Sequence, residues 1–431
     1  MDTKALRQKI LDLAIHGKLV PQDPNDEPAS VLLERIRAEK ERLIKEGKIK
    51  KGKKSAKTSD KPHYPYELPK GWVWTTLGEV ISIKSGNAIK VRNNKNGSFP
   101  IYGGNGISGY SDEYNIDKPT IVIGRVGFYC GSIHYVKSKV WVTDNAFITS
   151  IYGNVYDIDF LYYLLTYCNL RQYSNSTAQP VISGKTIYPV HVPVPPIKEQ
   201  RKIVEKIEFW LSCISQLEFS QSKVKSTIKQ VKSKILDLAI HGKLVPQDPN
   251  DEPASELLKR INPKAEITCD TPQYGKLPKG WCLCKISSVV DIVNGKSQKN
   301  VESPTGKYPI YGSGGIIGKA MEYTCLAGST IIGRKGTINH PIFVEENFWN
   351  VDTAFGMKAN NQILEDKYFY CFCLYFDFSK LDKSSALPSL TKTVIGNLIL
   401  PIPPLAEQQR IVAKIEELFS QLDKIESSLQ A

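Results

Sequence analysis

Apolar side chains recur in alternating steps of four and three residues through the centre of the chain. This spacing is typical of a long helix that packs against a second helix of the same kind. One position of the series, Gln221, is polar. The predicted central seam consists of Ile203, Ile207, Trp210, Ile214, Leu217, Val224, Ile228, Val231, Ile235 and Leu238.

A second copy of the pattern is divided between the two ends of the chain. If the C-terminus lay beside the N-terminus, the pieces would form one helix nearly as long as the central helix. Two antiparallel helices of about 36 residues, at ~1.5 Å per residue, would make a rod of about 50 Å. The alternative is an amphipathic helix that packs only on its own domain. The second seam comprises Ile411, Ile415, Leu418, Leu422, Ile425 and Leu429, followed in phase by Leu6, Ile10 and Leu13.

The segments between the helical patterns are rich in short β-type runs, such as TIVIGRVGF and STIIGRKGT, with frequent glycine turns. Each segment also contains one predicted helix, beginning near Asp157 in the first and Glu365 in the second, whose aromatic side chains we assign to the core. The sequence therefore predicts an α+β fold with two β-rich domains joined by two long antiparallel coiled-coil helices.

The whole chain is an internal duplication. The 22 residues KILDLAIHGKLVPQDPNDEPAS at 9–30 recur unchanged at 234–255, and LPKGW, PIYG, IGRxG and PPxxEQ each occur twice in the same order. Because the second helical copy is split between the termini, the repeat is circular and predicts a pseudo-two-fold axis. The predicted segments are an N-terminal helical piece (1–30), a basic linker (31–66), the first β-rich domain (67–195), the central helix and turn (196–262), the second β-rich domain (263–400) and the C-terminal helix (401–431).

Composition narrows the class of protein. Lysine and arginine exceed aspartate and glutamate by 57 to 44, a net charge of +13 that favours a polyanionic partner. No apolar run approaches the roughly 20 residues of a membrane span, and the N-terminus does not resemble a signal peptide, so we expect a cytoplasmic protein without membrane contact. The nine cysteines lack zinc-ligand spacing, which predicts reduced, mostly buried thiols and no metal.

Signatures of catalysis are missing from the sequence. It contains no phosphate-binding GxxxxGK[ST] loop, no HExxH helix, no GxSxG turn and no [DNS]PP[YF] motif of amino-methyltransferases. We therefore predict no catalytic residue. YGGNG and YGSGG are interpreted as turns rather than phosphate-binding loops, and His16 and His241 as structural residues at helix ends.

Basic and amide side chains in corresponding loops of the two β-rich domains are the candidates for DNA contacts. Arginine can bind guanine and asparagine or glutamine can bind adenine, whereas lysine more often neutralises phosphate. Since Arg125 and Arg334 recur within IGRxG, a shared phosphate role is favoured for them. The lysines of the linker, Lys48 to Lys57, form either a solvated segment or an arm that contacts phosphates. The candidates are Lys84, Lys90, Arg92, Asn93, Asn94, Lys95, Arg125, Lys296, Gln298, Lys299, Arg334 and Lys335.

In the ordered, circular set of these motifs the chain resembles the specificity subunit of type I restriction-modification systems, over essentially its whole length. The resemblance implies that the β-rich blocks are target recognition domains, each reading one half of an asymmetric bipartite site in double-stranded DNA, with the helical rod fixing the gap. It implies two modification subunits and further restriction subunits as partners. S-adenosylmethionine, ATP and Mg²⁺ would then belong to the partners, and this chain would hold no cofactor.

Two other functions remain open at this stage. The chain could be a free-standing pseudo-dimeric DNA-binding regulator, which would copurify without a methyltransferase. An autonomous modification enzyme would require a cofactor site that none of the motifs supplies.

Overall fold

The computed structural model describes residues 2–46, 64–88, 97–175, 180–268, 274–381 and 389–429. The chain divides into two compact units, which comprise residues 2–219 and 220–431 and are called here the first and second unit. Each unit contains one β-rich domain together with part of the long helical segments. The predicted α+β class with two β-rich domains is confirmed.

The first unit consists of one four-stranded sheet, one three-stranded sheet, a strand pair and the helices around them. The sheets have the strand orders β2-β8-β5-β6, β4-β3-β7 and β1-β9. The elements are α1 (Thr3–Ile15), α2 (Ala29–Lys45), β1 (Val73–Thr76), α3 (Leu77–Val80), β2 (Ile81–Ser85), β3 (Phe99–Gly103), β4 (Gly106–Ser111), β5 (Thr120–Gly124), β6 (Ile133–Val136), β7 (Trp141–Val142), β8 (Ala146–Ile151), α4 (Ile158–Tyr167), α5 (Gly184–Ile187), β9 (His191–Val194) and α6 (Ile197–Ile240), which continues into the second unit.

The second unit repeats this arrangement, except that a third strand, β10, extends the strand pair. Its sheets have the orders β12-β18-β15-β16, β14-β13-β17 and β10-β11-β19. The elements are α7 (Ala254–Ile261), β10 (Ile267–Thr268), β11 (Cys282–Lys285), β12 (Val290–Asn294), β13 (Tyr308–Gly312), β14 (Gly315–Ala320), β15 (Ser329–Gly333), β16 (Ile342–Val344), β17 (Trp349–Asn350), β18 (Ala354–Ala359), α8 (Asp366–Tyr375), α9 (Lys392–Gly396), β19 (Ile399–Ile402) and α10 (Leu405–Ser428).

The aromatic helices α4 and α8 form the centre of the two cores, as the sequence predicted. The Asp157 carboxylate caps α4 by accepting a hydrogen bond from the Asp159 amide, and Glu365 caps α8 in the same way. Phe160 of α4 and Phe372 of α8 are fully buried. The rings of Phe160 and Phe372 therefore stabilise the fold and are not available to stack on bases.

Within each unit, α6 pairs with another helix in the antiparallel sense. In the first unit, Arg7 on α1 forms an ion pair of 2.9 Å with Glu218, near the end of the α6 portion that belongs to this unit. In the second unit, the Gln221 side chain donates to the Leu429 carbonyl at the end of α10. In each pair, residues near the start of one helix thus contact residues near the end of the other, as the predicted antiparallel coiled coil requires.

Burial along the predicted seam is uneven. Some seam side chains lie outside the contact because neighbouring residues on the same helices, such as Val204, Leu236 and Val412, turn toward the β-rich cores instead. The buried seam positions are Ile203, Ile207, Ile214, Ile228, Ile235, Ile411 and Ile415; those of intermediate burial are Ile10, Leu13, Val224, Leu238, Leu418, Leu422 and Leu429; and those exposed by 38–49% are Leu6, Trp210, Leu217, Val231 and Ile425.

The first part of the predicted basic linker, 31–66, forms most of helix α2. Helix α2 buries Leu33 and Ile36, and the Lys40 ammonium donates to the Gly78 carbonyl at 2.8 Å. The apolar spacing of these residues is helical, but the abundance of charge around them concealed it. The linker lysines Lys48, Lys50, Lys51, Lys53, Lys54 and Lys57 lie outside the described residues.

Candidate nucleic-acid interface

Three of the duplicated motifs of the first unit meet at one end of its sheets. The Thr143 amide, in the TDNAF turn, donates to the carbonyl of Tyr102 in YGGNG at 2.9 Å. The Arg125 amide, in IGRVG, donates to the carbonyl of Asn145 in TDNAF, also at 2.9 Å. These backbone contacts hold three loops in one surface whatever side chains the loops carry.

Close backbone packing explains the glycines of these loops. A Cβ atom on Gly124 would lie 2.6 Å from the Gly104 carbonyl oxygen, so a larger residue would push the two loops apart. The Ser132 hydroxyl donates to the same carbonyl. YGGNG therefore connects β3 and β4 as a turn, in agreement with the prediction.

The second unit repeats the contacts with different residues. The Val351 amide donates to the Tyr311 carbonyl at 3.0 Å, and the Arg334 amide donates to the Thr353 carbonyl at 2.7 Å. The same backbone scaffold thus displays two different sets of exposed side chains.

The two arginines of IGRxG occupy corresponding positions. The Arg125 guanidinium lies 5.5 Å from the ring centre of Phe147, and that of Arg334 lies 5.9 Å from the ring centre of Phe355. Arg125 also donates to the Ser85 hydroxyl at 3.1 Å. Among the described residues neither guanidinium forms an ion pair with a carboxylate. An oriented cation on an aromatic ring is well suited to contact a phosphate or a base edge.

The other predicted contacts are partly placed. Lys296 is exposed and lies in the loop after β12. Its backbone amide donates to the Asn350 carbonyl. The Arg334 amide donates to the Thr353 carbonyl, so the backbones of Lys296 and Arg334 both contact the 350–353 turn. Lys84, Lys299 and Lys335 are exposed and Gln298 is half-buried. Lys90, Arg92, Asn93, Asn94 and Lys95 lie outside the described residues.

Two exposed aromatic residues in this region were not among the residues predicted from the sequence. Phe128 and Tyr129 directly follow IGRVG, with exposures of 67% and 48%. The guanidinium of Arg171 lies 4.6 Å from the ring centre of Phe128. The FY pair beside a predicted DNA-facing turn is the signal that could have identified them.

A buried glutamine connects the helical segment of the first unit to its β-rich domain. The Gln200 carbonyl oxygen accepts from the Asp157 amide at 2.8 Å. Its amide donates to the carbonyls of Val155 and Pro195, each at 2.9 Å. Each partner is a backbone atom, so this contact does not depend on the side chains of the domain.

Gln408 makes the same three contacts in the second unit. It accepts from the Glu365 amide at 2.7 Å and donates to the carbonyls of Ile363 and Pro403 at 2.9 and 3.0 Å. Gln200 and Gln408 are both completely buried. The EQ pair of the duplicated PPxxEQ motif therefore has a structural role.

The glutamates of the EQ pairs lie in matching polar pockets. Glu407 is 1% exposed and accepts hydrogen bonds from Trp281 and Gln247 at 3.0 and 3.1 Å. Burial raises the pKa of the Glu407 carboxyl, and the two donors offset part of the rise. Gln22 donates to Glu199 in the same way in the first unit.

The described cysteines have the character predicted for them. Most of them are buried, and burial raises the pKa of Cys168 to about 12 and that of Cys325 to about 11, so these two thiols are poor nucleophiles. Within the described ranges, no group of three or more histidine, cysteine or acidic residues is arranged to hold a metal ion. None of the helices described combines the length and the apolar character needed to span a bilayer.

Comparisons with known proteins agree with the duplicated scaffold. Residues 69–237 and 278–431 match the model of the type I restriction modification DNA specificity domain. The chain is 27% identical to the EcoAI specificity subunit of Escherichia coli, over 98% of this chain and 90% of that protein. It is 26% identical to the EcoEI specificity subunit of the same species, over 99% and 91%.

The fold is also found among solved structures. A chain from the work entitled "Structural basis underlying complex assembly and conformational transition of the type I R-M system" superimposes with a TM-score of 0.63 and 18% identity, covering 85% of this chain and 94% of that one. Two copies of the specificity-domain model account for most of the sequence, and each coincides with one copy of the repeated motifs. The chain therefore belongs to the family of type I restriction-modification specificity subunits.

Proposed function

We propose that the chain reads a bipartite, asymmetric site in double-stranded DNA, one half through each β-rich recognition domain, and contributes no catalytic group itself. The observation that carries this proposal is the repetition of one backbone scaffold, in which the Arg125 and Arg334 loops are held by the same hydrogen bonds while their exposed side chains differ. One scaffold with two surfaces suits two different half-sites.

Helix α6 sets the distance between the half-sites in this proposal. It runs without interruption from Ile197 to Ile240 and contributes to both units. At ~1.5 Å per residue a helix of 44 residues is about 66 Å long. A continuous helix of this length supports a gap of unread base pairs between the half-sites, because no break in its described residues interrupts it.

The partners in this proposal are two modification subunits and, with them, restriction subunits. The unchanged 22-residue repeat at 9–30 and 234–255 supports two copies of one partner, because it gives both units the same exposed side chains there. S-adenosylmethionine, ATP and Mg²⁺ would bind to those partners, which would carry out methylation and cleavage.

Single-molecule sequencing of methylated adenines in the source genome, with the gene intact and deleted, tests the proposal. We expect a gapped two-part motif that disappears when the gene is deleted. If no such motif depends on the gene although its modification partner is expressed, the proposal is wrong. Copurification then decides whether the chain is a free-standing regulator.

The salt dependence of DNA binding provides an independent test. The net charge of +13 supports an interface that contacts many phosphates. With 6 to 10 phosphate contacts, affinity should fall by roughly 10³ to 10⁵ between 50 and 200 mM salt. Affinity that does not change over this range would contradict a DNA-reading role.

A further inference from the structure

The loop between β5 and β6 of the first unit presents two aromatic side chains to solvent. Phe128 is 67% exposed and Tyr129 is 48% exposed, although the next residue, Cys130, is buried. Large exposed aromatic side chains side by side are unfavourable in water and often mark a binding surface.

The backbone of this loop is fixed on both sides. The Gly127 amide donates to the Pro180 carbonyl at 2.8 Å, and the Gly131 amide donates to Gly124 at 2.7 Å. A Cβ atom on Gly131 would lie 2.4 Å from the Arg171 amide nitrogen, so the loop rests directly on the Leu170–Tyr173 turn. The aromatic tip is therefore held in place before any ligand binds, which lowers the entropic cost of binding.

One arginine precedes the tip in sequence and another contacts it in space. Arg125 precedes it in the IGRVG motif, and the guanidinium of Arg171 lies over the Phe128 ring at 4.6 Å. Arg171 is exposed, and among the described residues it forms no ion pair with a carboxylate. An apolar tip with a cation on its ring, in the loop that begins with the IGRVG arginine, fits the phosphate-lined groove of DNA.

The second unit differs at this place. Between the IGRxG glycine and the next buried residue it has a single exposed side chain, Thr337, in place of the two aromatic residues of the first unit. Gly336 precedes Thr337, and buried Ile338 follows it in the position of Cys130. The aromatic tip is thus confined to one half of a duplicated scaffold, as expected of a residue that distinguishes the two half-sites.

The geometry points to Phe128 as a specificity-determining residue that contacts the C5-methyl group of a thymine in the half-site read by the first domain. This inference rests on the proposed function. A ring inserted between base pairs needs both faces free, whereas one face of Phe128 is covered by Arg171 and Tyr129 meets it edge to face at 5.1 Å. The remaining apolar surface fits a methyl group in the major groove.

The test uses the full chain assembled with its modification partner. The probe is the duplex defined by methylation sequencing, prepared with each thymine of the first half-site replaced in turn by deoxyuridine, which lacks only the methyl group. The first half-site is the half of the methylated motif that changes when residues 69–194 are replaced by the corresponding residues of the second domain, 278–402. Removing a methyl contact worth ~0.8 kcal/mol should weaken binding about fourfold.

We expect Phe128→Ala to weaken binding to the unmodified duplex about fourfold. On the duplex in which deoxyuridine replaces the contacted thymine, Phe128→Ala should cause no further loss, because the methyl group is already absent. Phe128→Leu should retain most of the affinity, since a methyl contact needs apolar surface and not a ring. Thr337→Ala, at the corresponding place in the second unit, should leave every deoxyuridine effect in the first half-site unchanged. Equal melting temperatures would establish that the variants are folded.

If the loss of affinity caused by Phe128→Ala adds to the loss caused by every deoxyuridine substitution, the inference is wrong. A first half-site without thymine in either strand would also overturn it. Increased fluorescence of 2-aminopurine beside the contact, reporting unstacking, would indicate an inserted wedge instead. In each of these cases the gapped motif still depends on the gene. Absence of that motif would instead overturn the proposed function, and this inference with it.

Discussion

At the residue scale, the fold depends on a few buried polar side chains whose partners are backbone atoms. Gln408 is fully buried and satisfies one amide and two carbonyls. Replacement by leucine would fill the space but leave those three backbone groups unpaired. Since an unsatisfied buried group costs about 1–3 kcal/mol, and apolar burial offsets only part of that cost, we expect Gln408→Leu to lower the free energy of unfolding by about 2–4 kcal/mol.

Urea unfolding followed by circular dichroism measures this loss. Gln409→Leu is the matched control, because Gln409 is the next residue of α10 and is exposed, so a change within about 0.5 kcal/mol is expected. Gln200→Leu should cost as much as Gln408→Leu, because the three contacts are the same. Losses no larger than that of the control would refute the structural role of the EQ pair.

The buried carboxyl of Glu407 should make the free energy of unfolding decrease as the pH rises. Burial raises the pKa of Glu407 in the folded chain. At a pH just above the ordinary pKa of a glutamate, the folded chain therefore still holds this proton, whereas the unfolded chain has released it. Stability contributed by this group is present at acid pH and is lost as the pH rises through the folded pKa. Glu407→Gln lacks this titration.

Urea unfolding of both proteins between about pH 4 and 7 tests the sign of this effect. The stability of the native chain relative to Glu407→Gln should decrease as the pH rises. The repeated position provides a second test, since burial also raises the pKa of Glu199, and Glu199→Gln should behave in the same way. A relative stability that increases with pH would mean that the ionised carboxylate is the favoured form.

Residue types in the sequence indicated some parts of the site and not others. Arg125 and Arg334 were predicted as DNA contacts because they recur in one motif, and the structure gives them corresponding surroundings. Phe128 was missed because an aromatic residue in a β-rich segment is usually part of the core. Its exposure arises from the turn fixed by Gly127 and Gly131, which composition does not reveal.

At the element scale, the junction between each helical segment and its β-rich domain requires a glycine. Gly242 follows the end of α6 with φ of +66°, and a Cβ atom there would lie 2.2 Å from Cγ of Pro278 in the LPKGW motif. This contact explains why HGKL and LPKGW occur together in both copies. Gly17 and Pro69 form the same contact in the first unit.

Gly242→Ala should therefore be more destabilising than an ordinary glycine substitution. Gly275 has φ of +59° and no atom within 4 Å of the Cβ position, so Gly275→Ala measures the left-handed backbone cost alone, about 1–2 kcal/mol. The clash should add about 1–3 kcal/mol in Gly242→Ala, detectable by urea unfolding. Equal losses in the two variants would mean that Pro278 moves aside without cost.

Periodicity predicted the long helices better than it predicted their contacts. The heptad spacing indicated α6 and α10, but Trp210 and Leu217 are exposed while Val204, one position from the seam, is buried in the first core. A heptad pattern assumes a single packing partner, whereas these helices pack on a helix and on a β-rich domain. Helix α2 was missed because charged residues dominate its segment.

At the scale of the whole molecule, the two copies keep their scaffold and diverge on their surface. Lys414 forms an ion pair of 2.8 Å with Glu417 on α10. At the corresponding place on α6, Lys206 lies 5.3 Å from the ring centre of Phe209 instead. Substitution of exposed residues leaves the helix intact, whereas the buried contacts of the EQ pairs are retained in both copies. Divergence of this kind changes what each copy binds without changing how it folds.

The two recognition domains should therefore be interchangeable on the scaffold. The contacts of Gln200 and Gln408 reach each domain through backbone atoms, and Pro69 and Pro278 occupy the same place against the helix-end glycines. A chain in which residues 278–402 are replaced by a second copy of 69–194 should fold, because the transplanted domain presents the same partners to the scaffold. We expect it to read the first half-site twice.

The methylated motif of this duplicated chain, sequenced in a host that supplies the modification partner, should be an inverted repeat of the first half-site with the original gap. The inverted orientation follows from the two-fold relation that the circular repeat predicts, so a direct repeat would contradict that relation. The reciprocal chain, with two copies of the second domain, is the control and should give an inverted repeat of the other half-site. If both chains fold with native melting temperatures but methylate only the original asymmetric site, half-site choice does not reside in these domains.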